Sequence, residues 1–379
     1  MLDVAVVGGG IVGLATARAL AGAGLDVAVL EKEDRVAAHQ SGNNSNVLHS
    51  GVYYPPGSMK AATVRAGREQ LQRFCAEHGV FLDVCGKVIV ATDQDELARL
   101  DALAARADAN GVAVERLGPE GLHDVEPHAA GVAALHVPSA AIVDFTAVCQ
   151  TLARLVGDVR LSTRVTAVHE QRDRVTVETT SGDVTARRIV NCAGLWSDRV
   201  ASLHARPDVR IIPFRGEYHA LADEKTHLVR ALIYPVPDPA FPFLGVHLTR
   251  GVDGGIHCGP NAVFPLTQLP RVVGYRGFRA LARQHWRMGA SELARSLSKK
   301  RFAASLQRLV PEVDAGDLRP ATPGVRAQAV APDGSLVDDF VIRHTDRVVD
   351  VLNAPSPAAT AALEIGRLIS EEVIRHAAG

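Results

Sequence analysis

Cysteine is scarce in this chain. Only five of its 379 residues are cysteine, an odd number at wide spacings, and no Cys-x-x-Cys pair occurs. A disulfide framework or a cysteine-ligated zinc site is therefore not expected, and the low cysteine usage favours a reducing compartment. No other spacing typical of metal ligands is present, so we expect no metal site.

Long apolar runs and an excess of charge of one sign are also missing. No apolar run approaches the ~18 residues of a transmembrane helix, and the first run starts too close to Met1 for a signal peptide. The formal net charge of −1 provides no bulk attraction for nucleic acid. We therefore expect a cytoplasmic protein without a nucleic-acid partner. Peripheral contact with the inner face of a membrane is compatible with the sequence.

A Gly-x-Ser-x-Gly motif is absent too, which argues against a serine hydrolase. The chain does contain a glycine-rich turn between two apolar runs near its start. Residues 4–7 are apolar and lead into Gly-Gly-Gly-Ile-Val-Gly at 8–13, an Ala/Leu-rich segment, a second apolar run at 27–30 and then Glu31. This order is the dinucleotide-binding fingerprint. The alternative is a turn that closes an ordinary α/β crossover.

Each glycine of the fingerprint has a separate predicted role. Gly8 permits the tight turn, Gly10 lets the backbone approach a pyrophosphate, and Gly13 lets helix and strand pack closely. The N–H groups at the start of the helix face the phosphates. Glu31 accepts hydrogen bonds from an adenosine ribose.

A long polar loop helps to choose between the common dinucleotides. A nicotinamide-dependent dehydrogenase would continue after Glu31 with regular βα units, whereas here a polar stretch rich in Gly, Asn and Ser covers residues 39–51. A loop of this length is typically functional. Because its amides and hydroxyls can wrap an extended cofactor, the loop favours FAD over NAD.

A second helix start is predicted near the end of the chain, at Asn-Ala-Pro-Ser-Pro-Ala-Ala-Thr (353–360). Proline near the first helical position and Ser356 as the cap would leave N–H donors exposed. Such donors would stabilise negative charge on a reduced flavin ring. The alternative is a capped helix that only packs.

Further motifs follow one another along nearly the whole chain. They are His-Gln-Ser-Gly (39–42), Val-Leu-His-Ser-Gly-Val-Tyr-Tyr (47–54), Cys-Gly-Lys (85–87), Val-Asn-Cys-Ala-Gly-Leu-Trp-Ser (190–197), Pro-Phe-Arg-Gly-Glu-Tyr (213–218), Tyr-Pro-Val-Pro-Asp-Pro (234–239), Phe-Leu-Gly-Val-His-Leu-Thr-Arg (243–250), Gly-Pro-Asn-Ala (259–262), Gly-Val-Arg-Ala-Gln-Ala (324–329) and Asn-Ala-Pro-Ser-Pro (353–357). With the glycine-rich start, they resemble the D-amino-acid oxidase-like FAD oxidoreductases, and most closely the L-2-hydroxyglutarate oxidase/dehydrogenase family.

The resemblance implies noncovalent FAD and oxidation of a small dicarboxylate, L-2-hydroxyglutarate, to 2-oxoglutarate by hydride transfer to the flavin. The residues alone indicate only an FAD oxidoreductase acting on a small carboxylate. Two alternatives stay open: an oxidase or dehydrogenase of another small 2-hydroxy or amino acid, and a flavin-binding subunit without turnover. The electron acceptor also stays open between oxygen, a quinone and an electron-transfer protein.

The residues expected to bind the cofactor lie in or beside these motifs. They are Gly8, Gly10, Ile11, Val12, Gly13, Glu31, Lys32, Gln40, Ser41, Asn44, Ser45, Val165, Ala193, Gly194, Trp196, Pro355, Ser356 and Thr360. The polar loop departs from the family pattern, because Asn-Asn-Ser-Asn at 43–46 replaces His-Asn-Ser-Gly. Asn46 tolerates a left-handed backbone, so we expect the turn to survive, whereas the histidine missing at Asn43 would alter flavin contacts.

Oxidation of a 2-hydroxy acid needs a base for the hydroxyl proton and cations for the carboxylate. His49 follows the polar loop and is a candidate base, the alternatives being a flavin or substrate contact or no role. His247 lies in an apolar β-like segment, where a lone histidine is usually a core residue. The resemblance gives it a substrate or base role.

Arg326 is the first candidate for holding a carboxylate, because a guanidinium in a strand must find an anion or reach solvent. The alternative is a structural ion pair with Asp338 or Asp339. Further candidates for substrate binding are Arg215, Arg250, Tyr53 and Tyr234. Arg215 pairing with Glu217 and packing of the tyrosines are the competing interpretations. Lys60 and Lys87 are plausible cations or solvated side chains.

The element pattern predicts an α/β protein with a discontinuous Rossmann-like FAD-binding domain and an inserted β-rich (α+β) substrate domain. The FAD-binding domain is expected at residues 1–80, 146–205 and 319–379, and the substrate domain at 81–145 and 206–318. Helices are predicted over 58–78, 94–110, 141–156 (with Asp144 or Thr146 as cap), 276–312 and from 357 onward.

Overall fold

The structure, a computed structural model, describes residues 1–238, 245–261, 263–296 and 298–376. Pro239, Phe243, Leu244 and Ala262 of the motifs above lie outside the described residues. The strands are β1 (Leu2–Val7), β2 (Val27–Leu30), β3 (Val47–Leu48), β4 (Leu82–Asp83), β5 (Lys87–Ala91), β6 (Glu115–Leu117), β7 (Ala133–Val137), β8 (Ala141–Val143), β9 (Val159–Arg160), β10 (Val165–Glu170), β11 (Val175–Thr179), β12 (Val184–Asn191), β13 (Arg210–Gly216), β14 (His219–Leu221), β15 (Leu232–Pro235), β16 (His247–Arg250), β17 (Ile256–Gly259), β18 (Leu318–Pro320), β19 (Gly324–Val330), β20 (Val341–His344) and β21 (Val348–Asn353).

The α-helices are α1 (Ile11–Gly22), α2 (Met59–His78), α3 (Leu97–Ala109), α4 (Pro119–Val125), α5 (Phe145–Val156), α6 (Ser197–Ala201), α7 (Leu269–Val272), α8 (Arg276–Ser296), α9 (Lys299–Gln307) and α10 (Ala362–Arg375). No helix in the described part of the chain is long and apolar enough to span a lipid bilayer.

A mixed sheet carries the dinucleotide fingerprint. Its strand order is β10-β11-β12-β1-β2-β9, with β21 pairing with β12 and β20 with β21. β1 is parallel to β2 and β12, and β12 is parallel to β21. The residues that follow these strands, Gly8, Glu31, Cys192 and Ala354, therefore lie at one edge, where open α/β sheets bind ligands.

Two helices cover this sheet by close backbone contact. α1 packs against α10 and α5. A Cβ atom on Gly366 of α10 would lie 2.6 Å from the backbone carbon of Ala15 in α1, so only glycine allows this separation. The C-terminal helix thereby fixes α1 behind the glycine-rich turn.

The helix boundaries follow from capping groups. In α2, the Ser58 hydroxyl accepts a hydrogen bond from the Ala61 N–H at 3.2 Å, and Gly79 ends the helix with a left-handed φ of 64°. The helix predicted to begin at Ala141 instead begins at Phe145, capped by Asp144, because residues 141–143 pair as strand β8.

The prediction that Ser356 caps the last helix is wrong. α10 begins at Ala362, and Ala361 is its N-cap. Residues 355–361 form separate turns instead, in which the Ala358 N–H donates to the Pro355 carbonyl and the Ala361 N–H to the Pro357 carbonyl. Ser356 therefore lies in a turn before the helix, although it still faces the site described below.

A second sheet has the order β18-β14-β17-β16-β15-β5-β7-β6. β15 is parallel to β5, with Leu232 opposite Lys87, and antiparallel to β16, with Ile233 opposite Leu248. β13 and β19 form a separate antiparallel pair in which Phe214 lies opposite Arg326. A short sheet, β3-β8-β4, completes the described strands.

Candidate active site

One cavity of about 860 Å³ extends from the glycine-rich turn to the second sheet. This volume is within the usual range of cofactor and ligand pockets. The predicted site residues that line it are Gly8, Gly10, Ile11, Val12, Glu31, Lys32, Gln40, Ser41, Asn44, Ser45, His49, Val165, Ala193, Gly194, Trp196, Tyr234, His247, Arg326, Pro355, Ser356 and Thr360. Residues from both sheets and from the long polar loop thus meet around a single space.

Four predicted site residues do not line this cavity. Arg215 is exposed on β13, because its neighbours Phe214 and Gly216 face the cavity and alternate side chains of a strand point to opposite faces. Arg250, at the far end of β16, forms an ion pair with Asp83 at 3.2 Å. The structure therefore does not support either arginine as a substrate ligand.

The other two residues, Tyr53 and Gly13, lie behind the residues that line the cavity. The Tyr53 hydroxyl is buried, and the ring lies 4.9 Å from the Lys87 ammonium. Gly13 lies in α1, where an added Cβ would be 2.1 Å from the Gly8 carbonyl oxygen. Gly13 therefore has the packing role predicted for it.

The first turn of α1 presents N–H donors to the cavity. Gly10 is its N-cap and has no side chain that could cap the helix. The Ile11 N–H donates to the Ser41 hydroxyl of the polar loop at 2.9 Å. The Glu31 carboxylate accepts the Gly9 N–H at 2.6 Å and the Glu33 N–H at 2.9 Å. Carboxylate oxygens retain further lone pairs for a ribose. An anion-binding helix end beside an acid fits the adenosine diphosphate half of a dinucleotide.

The close contact between Gly13 and Gly8 predicts that an alanine at Gly13 is far more disruptive than an alanine at Gly22, the other glycine compared in α1. Gly13→Ala forces the helix away from the turn, and we expect the purified protein to lose most of its flavin. Gly22→Ala is the matched control, because an added Cβ there meets nothing within 4 Å. Flavin content is measured from the ratio of flavin to protein absorbance, and equal content in both variants would contradict the packing role.

The polar loop keeps its turn despite the departures from the family pattern. Asn46 adopts a left-handed φ of 56°. Its N–H donates to the Asn44 side-chain oxygen at 2.7 Å, and the Asn43 amide donates to the His39 carbonyl at 2.8 Å. The expectation that Asn46 preserves the turn is confirmed. Asn43 lines the cavity in place of the family's histidine.

Tyr234 and His247 form the wall of the cavity contributed by the second sheet. Their rings stack with centroids 4.0 Å apart and planes 19° from parallel. The neighbouring strands β15 and β16 place them side by side. Burial raises the pKa of Tyr234, against the opposing effect of its hydrogen bond with Thr249, so its hydroxyl stays protonated.

His247 is held in one tautomer by its backbone. Burial lowers the pKa of His247 to about 4; the hydrogen bond to Gly245 opposes this shift and the charge of Lys87 adds to it. The ring is therefore neutral at pH 7. Its Nδ1 lies 2.8 Å from the Gly245 carbonyl oxygen. A carbonyl only accepts, so Nδ1 carries the hydrogen and Nε2 keeps its lone pair. A neutral, oriented Nε2 is what a general base requires.

His49 lies in the same cavity without such an orienting bond. Burial, Lys87 and His247 lower its pKa to about 3. Its backbone N–H donates to the Thr360 hydroxyl at 3.1 Å, while its Nδ1 has no hydrogen-bond partner among the described residues. His49 is therefore tied in place by its main chain, and its ring is neutral and less constrained than that of His247.

Lys87 is a buried cation behind these rings. Its ammonium lies 4.7 Å from the Tyr234 ring and 4.9 Å from the Tyr53 ring, and it has no hydrogen-bond partner among the described residues. Burial and the neighbouring Arg68 lower its pKa to about 8. The sequence analysis named Lys87 only as one of two plausible cations. Its positive charge lowers the pKa of both His49 and His247.

Arg326 brings a guanidinium to the cavity from β19. Burial lowers its pKa, while Asp338 and Tyr54 favour the charged form. Binding of a substrate carboxylate is supported because Arg326 faces the cavity. A structural ion pair is supported because the charge of Asp338 acts on Arg326. Lys60 is half-buried, and the charges of Asp338 and Arg326 also act on it.

Polar lining residues that were not predicted individually include Tyr218, Asn261 and Arg271. Tyr218 and Asn261 belong to motifs quoted for the family resemblance, and Asn261 is buried with its amide oxygen accepting the Glu217 N–H at 3.1 Å. The motifs could have indicated both. Arg271 also lines the cavity, but no motif marks it.

Comparison with known proteins agrees with this geometry. The sequence model of the family described as FAD dependent oxidoreductase matches residues 3–372. The L-2-hydroxyglutarate dehydrogenase of Indibacter alkaliphilus is 43% identical over 98% of this chain and 99% of its own length. The enzymes of that name from Escherichia coli K12 and Homo sapiens are 41% and 39% identical over 98% of this chain, covering 93% and 88% of their own lengths.

Solved structures show the same fold. FAD-bound L-alpha-glycerophosphate oxidase from Mycoplasma pneumoniae is 23% identical and aligns over 100% of this chain and 95% of its own, with a TM-score of 0.81. Glycine oxidase from Bacillus cereus is 19% identical, covers 99% of this chain and 95% of its own, and has a TM-score of 0.74. The sequence match and the cavity together show that the chain belongs to the FAD dependent oxidoreductase family, in which its relatives are the L-2-hydroxyglutarate dehydrogenases.

Proposed function

We propose that this protein uses noncovalently bound FAD to oxidise L-2-hydroxyglutarate to 2-oxoglutarate. The observation that carries the proposal is the cavity, which connects the dinucleotide-binding turn with a neutral, oriented histidine and a half-buried arginine. The names of the relatives indicate which 2-hydroxy acid it is.

The chemistry divides between cofactor and protein. When bound, FAD supplies the oxidant that accepts the hydride from the substrate Cα. His247 Nε2 takes the hydroxyl proton, since Nδ1 is already occupied by its bond to Gly245. Arg326 holds a carboxylate, and Tyr234 lines the same cavity with its hydroxyl bonded to Thr249. Together these contacts orient the substrate for proton and hydride removal.

The proposal is tested by an anaerobic absorbance spectrum of the purified protein. Addition of L-2-hydroxyglutarate should bleach the oxidised-flavin band, while D-2-hydroxyglutarate, L-lactate and amino acids should leave it unchanged. A flavin band that ignores L-2-hydroxyglutarate would refute the substrate assignment. Bleaching by an amino acid would instead support another reaction of the same fold.

The charges around His247 predict a bell-shaped pH profile of kcat/KM. The base is active only when neutral, so activity is lost as the pH falls through the His247 pKa of about 4. The Lys87 charge, and with it the positive potential beside the two histidines, is lost as the pH rises through about 8. We expect Lys87→Met to move the acid limb to higher pH, because the cation no longer opposes protonation of His247. Lys60→Met is the control, since Lys60 exerts no such effect on either histidine. An acid limb unmoved in Lys87→Met would contradict the role of Lys87.

We also propose the division into two domains that the sequence predicts. Every strand of the mixed sheet with the fingerprint comes from residues 2–30, 159–191 and 341–353, whereas the second sheet is built from 87–137 and 219–320. This distribution supports an FAD-binding domain at 1–80, 146–205 and 319–379 and a substrate domain at 81–145 and 206–318.

For localisation, we propose a cytoplasmic protein that contacts the inner face of the membrane. The support is helix α8, on which Arg279, Arg283 and Trp286 are exposed, with Leu266 exposed before it in the chain. Such a mixture suits an anionic lipid surface. Cosedimentation with phosphatidylglycerol vesicles, but not with phosphatidylcholine vesicles, is expected. Cosedimentation with neither kind of vesicle would overturn the membrane contact.

A further inference from the structure

A second group of ligand-type side chains lies away from the cavity, where β20 meets the C-terminal helix. His344, the last residue of β20, lies with its Nε2 2.6 Å from an oxygen of Glu372 in α10. The ring of His376, which follows the last turn of α10, lies 5.2 Å from the His344 ring between centroids. One ligand atom from each of the three lies within 4.8 Å of the others. None of the three lines the cavity.

We propose that His344, Glu372 and His376 form a binding site for a divalent transition-metal ion, with zinc as the best match. Glu372 and His376 are four residues apart, a spacing that places both side chains on one face of a helix. His344 comes from a different element and completes the set. Two imidazoles and one carboxylate are donors that zinc accepts, and three protein ligands leave one position for water.

The backbone around the site is already fixed. The His376 N–H donates to the Glu372 carbonyl at 3.1 Å, and the Arg188 guanidinium donates to the His376 carbonyl. β20 is held by its ladder with β21. The two sides of the site are therefore positioned without the metal, and binding would exchange the direct His344–Glu372 contact for bonds from both groups to the metal. The metal would clip the C-terminal helix, which supports α1, to the edge of the sheet.

The sequence analysis expected no metal site because it found no spacing typical of metal ligands. The spacing of these three residues along the chain did not indicate the site either. His344 is separated from Glu372 by a strand, a turn and most of a helix, so the ligands meet only through the fold.

The test is calorimetric titration of the flavin-loaded protein with zinc chloride at neutral pH. We expect one saturable site, and we expect His344→Gln and His376→Gln each to weaken it at least about tenfold, the effect of losing even an outer-shell partner. His169→Gln is the matched control, because His169 pairs with Glu178 at 2.8 Å on an exposed hairpin and no third ligand joins them in the described chain. Its affinity should equal that of the unchanged protein.

Two results would overturn the proposal: no saturable zinc binding, or equal affinity in His376→Gln, His344→Gln and the control. Retained flavin absorbance in each variant shows that it has folded. Anomalous diffraction at the zinc edge from a zinc-soaked crystal provides a second measurement. A peak between the three side chains supports the site, and a peak only at other histidines refutes it. Because these residues lie outside the cavity, failure here leaves the proposed oxidation untouched.

Discussion

Replacing His247 with glutamine is expected to lower kcat/KM for L-2-hydroxyglutarate by roughly 10²- to 10⁴-fold, the usual contribution of a general base. A glutamine amide can still donate to the Gly245 carbonyl, so the local hydrogen bond survives, but it has no basic lone pair. The loss should appear in the rate of flavin reduction, measured anaerobically by stopped flow. Flavin content should be unchanged, because His247 belongs to the second sheet and not to the dinucleotide-binding turn.

Two further variants separate this role from general disturbance of the sheet. His219→Gln changes another histidine of the same sheet, which packs on Phe302 and does not line the cavity. It should retain activity. His49→Gln should lose less than His247→Gln, because its ring lacks the orienting carbonyl. A His49→Gln variant that is the slower of the two would transfer the role of base to His49.

Replacing Arg326 with methionine is expected to produce the second large effect. Removing one partner of a buried, hydrogen-bonded charge pair costs about 2–5 kcal/mol, and kcat/KM should therefore fall by roughly 30-fold to 5,000-fold. Arg326→Lys should restore only part of the loss, since an ammonium keeps the charge but not the two-pronged geometry. Steady-state kinetics with L-2-hydroxyglutarate measures the loss in each variant.

The competing role of Arg326, a structural pair with Asp338, makes a different prediction. In that case Asp338→Asn would reproduce the effect of Arg326→Met, and both would lower the melting temperature without raising KM. If Arg326 binds substrate, Asp338→Asn should change KM little. Unchanged kcat/KM in Arg326→Met would end the assignment of Arg326 to the substrate.

The cofactor end of the site was largely predictable because its residues are neighbours in sequence. The turn at Gly8, the acid at Glu31 and the small residues at Ala193 each follow directly after a buried strand. Parallel pairing then brings those strand ends to one edge. Ser356 shows the limit of this reasoning. It lines the cavity as expected, yet the helix that it was expected to cap starts six residues later, at Ala362. The backbone between them forms the hydrogen bonds of separate turns instead.

The substrate end was predictable only as a set of residue types. Arg215, Arg250 and Arg326 look equivalent in sequence, but alternation along β13 turns Arg215 to solvent and Asp83 pairs with Arg250. The tautomer of His247 depends on a carbonyl two residues away, and its neutrality depends on burial. Lys87 acts on the histidines because a parallel ladder sets β5 beside β15.

By itself, then, the sequence determined the dinucleotide-binding turn, the family resemblance and the absence of a membrane-spanning run, since each is a property of residues adjacent along the chain. The tertiary structure decided which histidine ring is oriented by a backbone carbonyl, which arginine faces the cavity and which histidines meet at the C-terminal helix. Those outcomes depend on strand pairing and burial between segments far apart in sequence, where a shift of one residue turns a side chain to the opposite face.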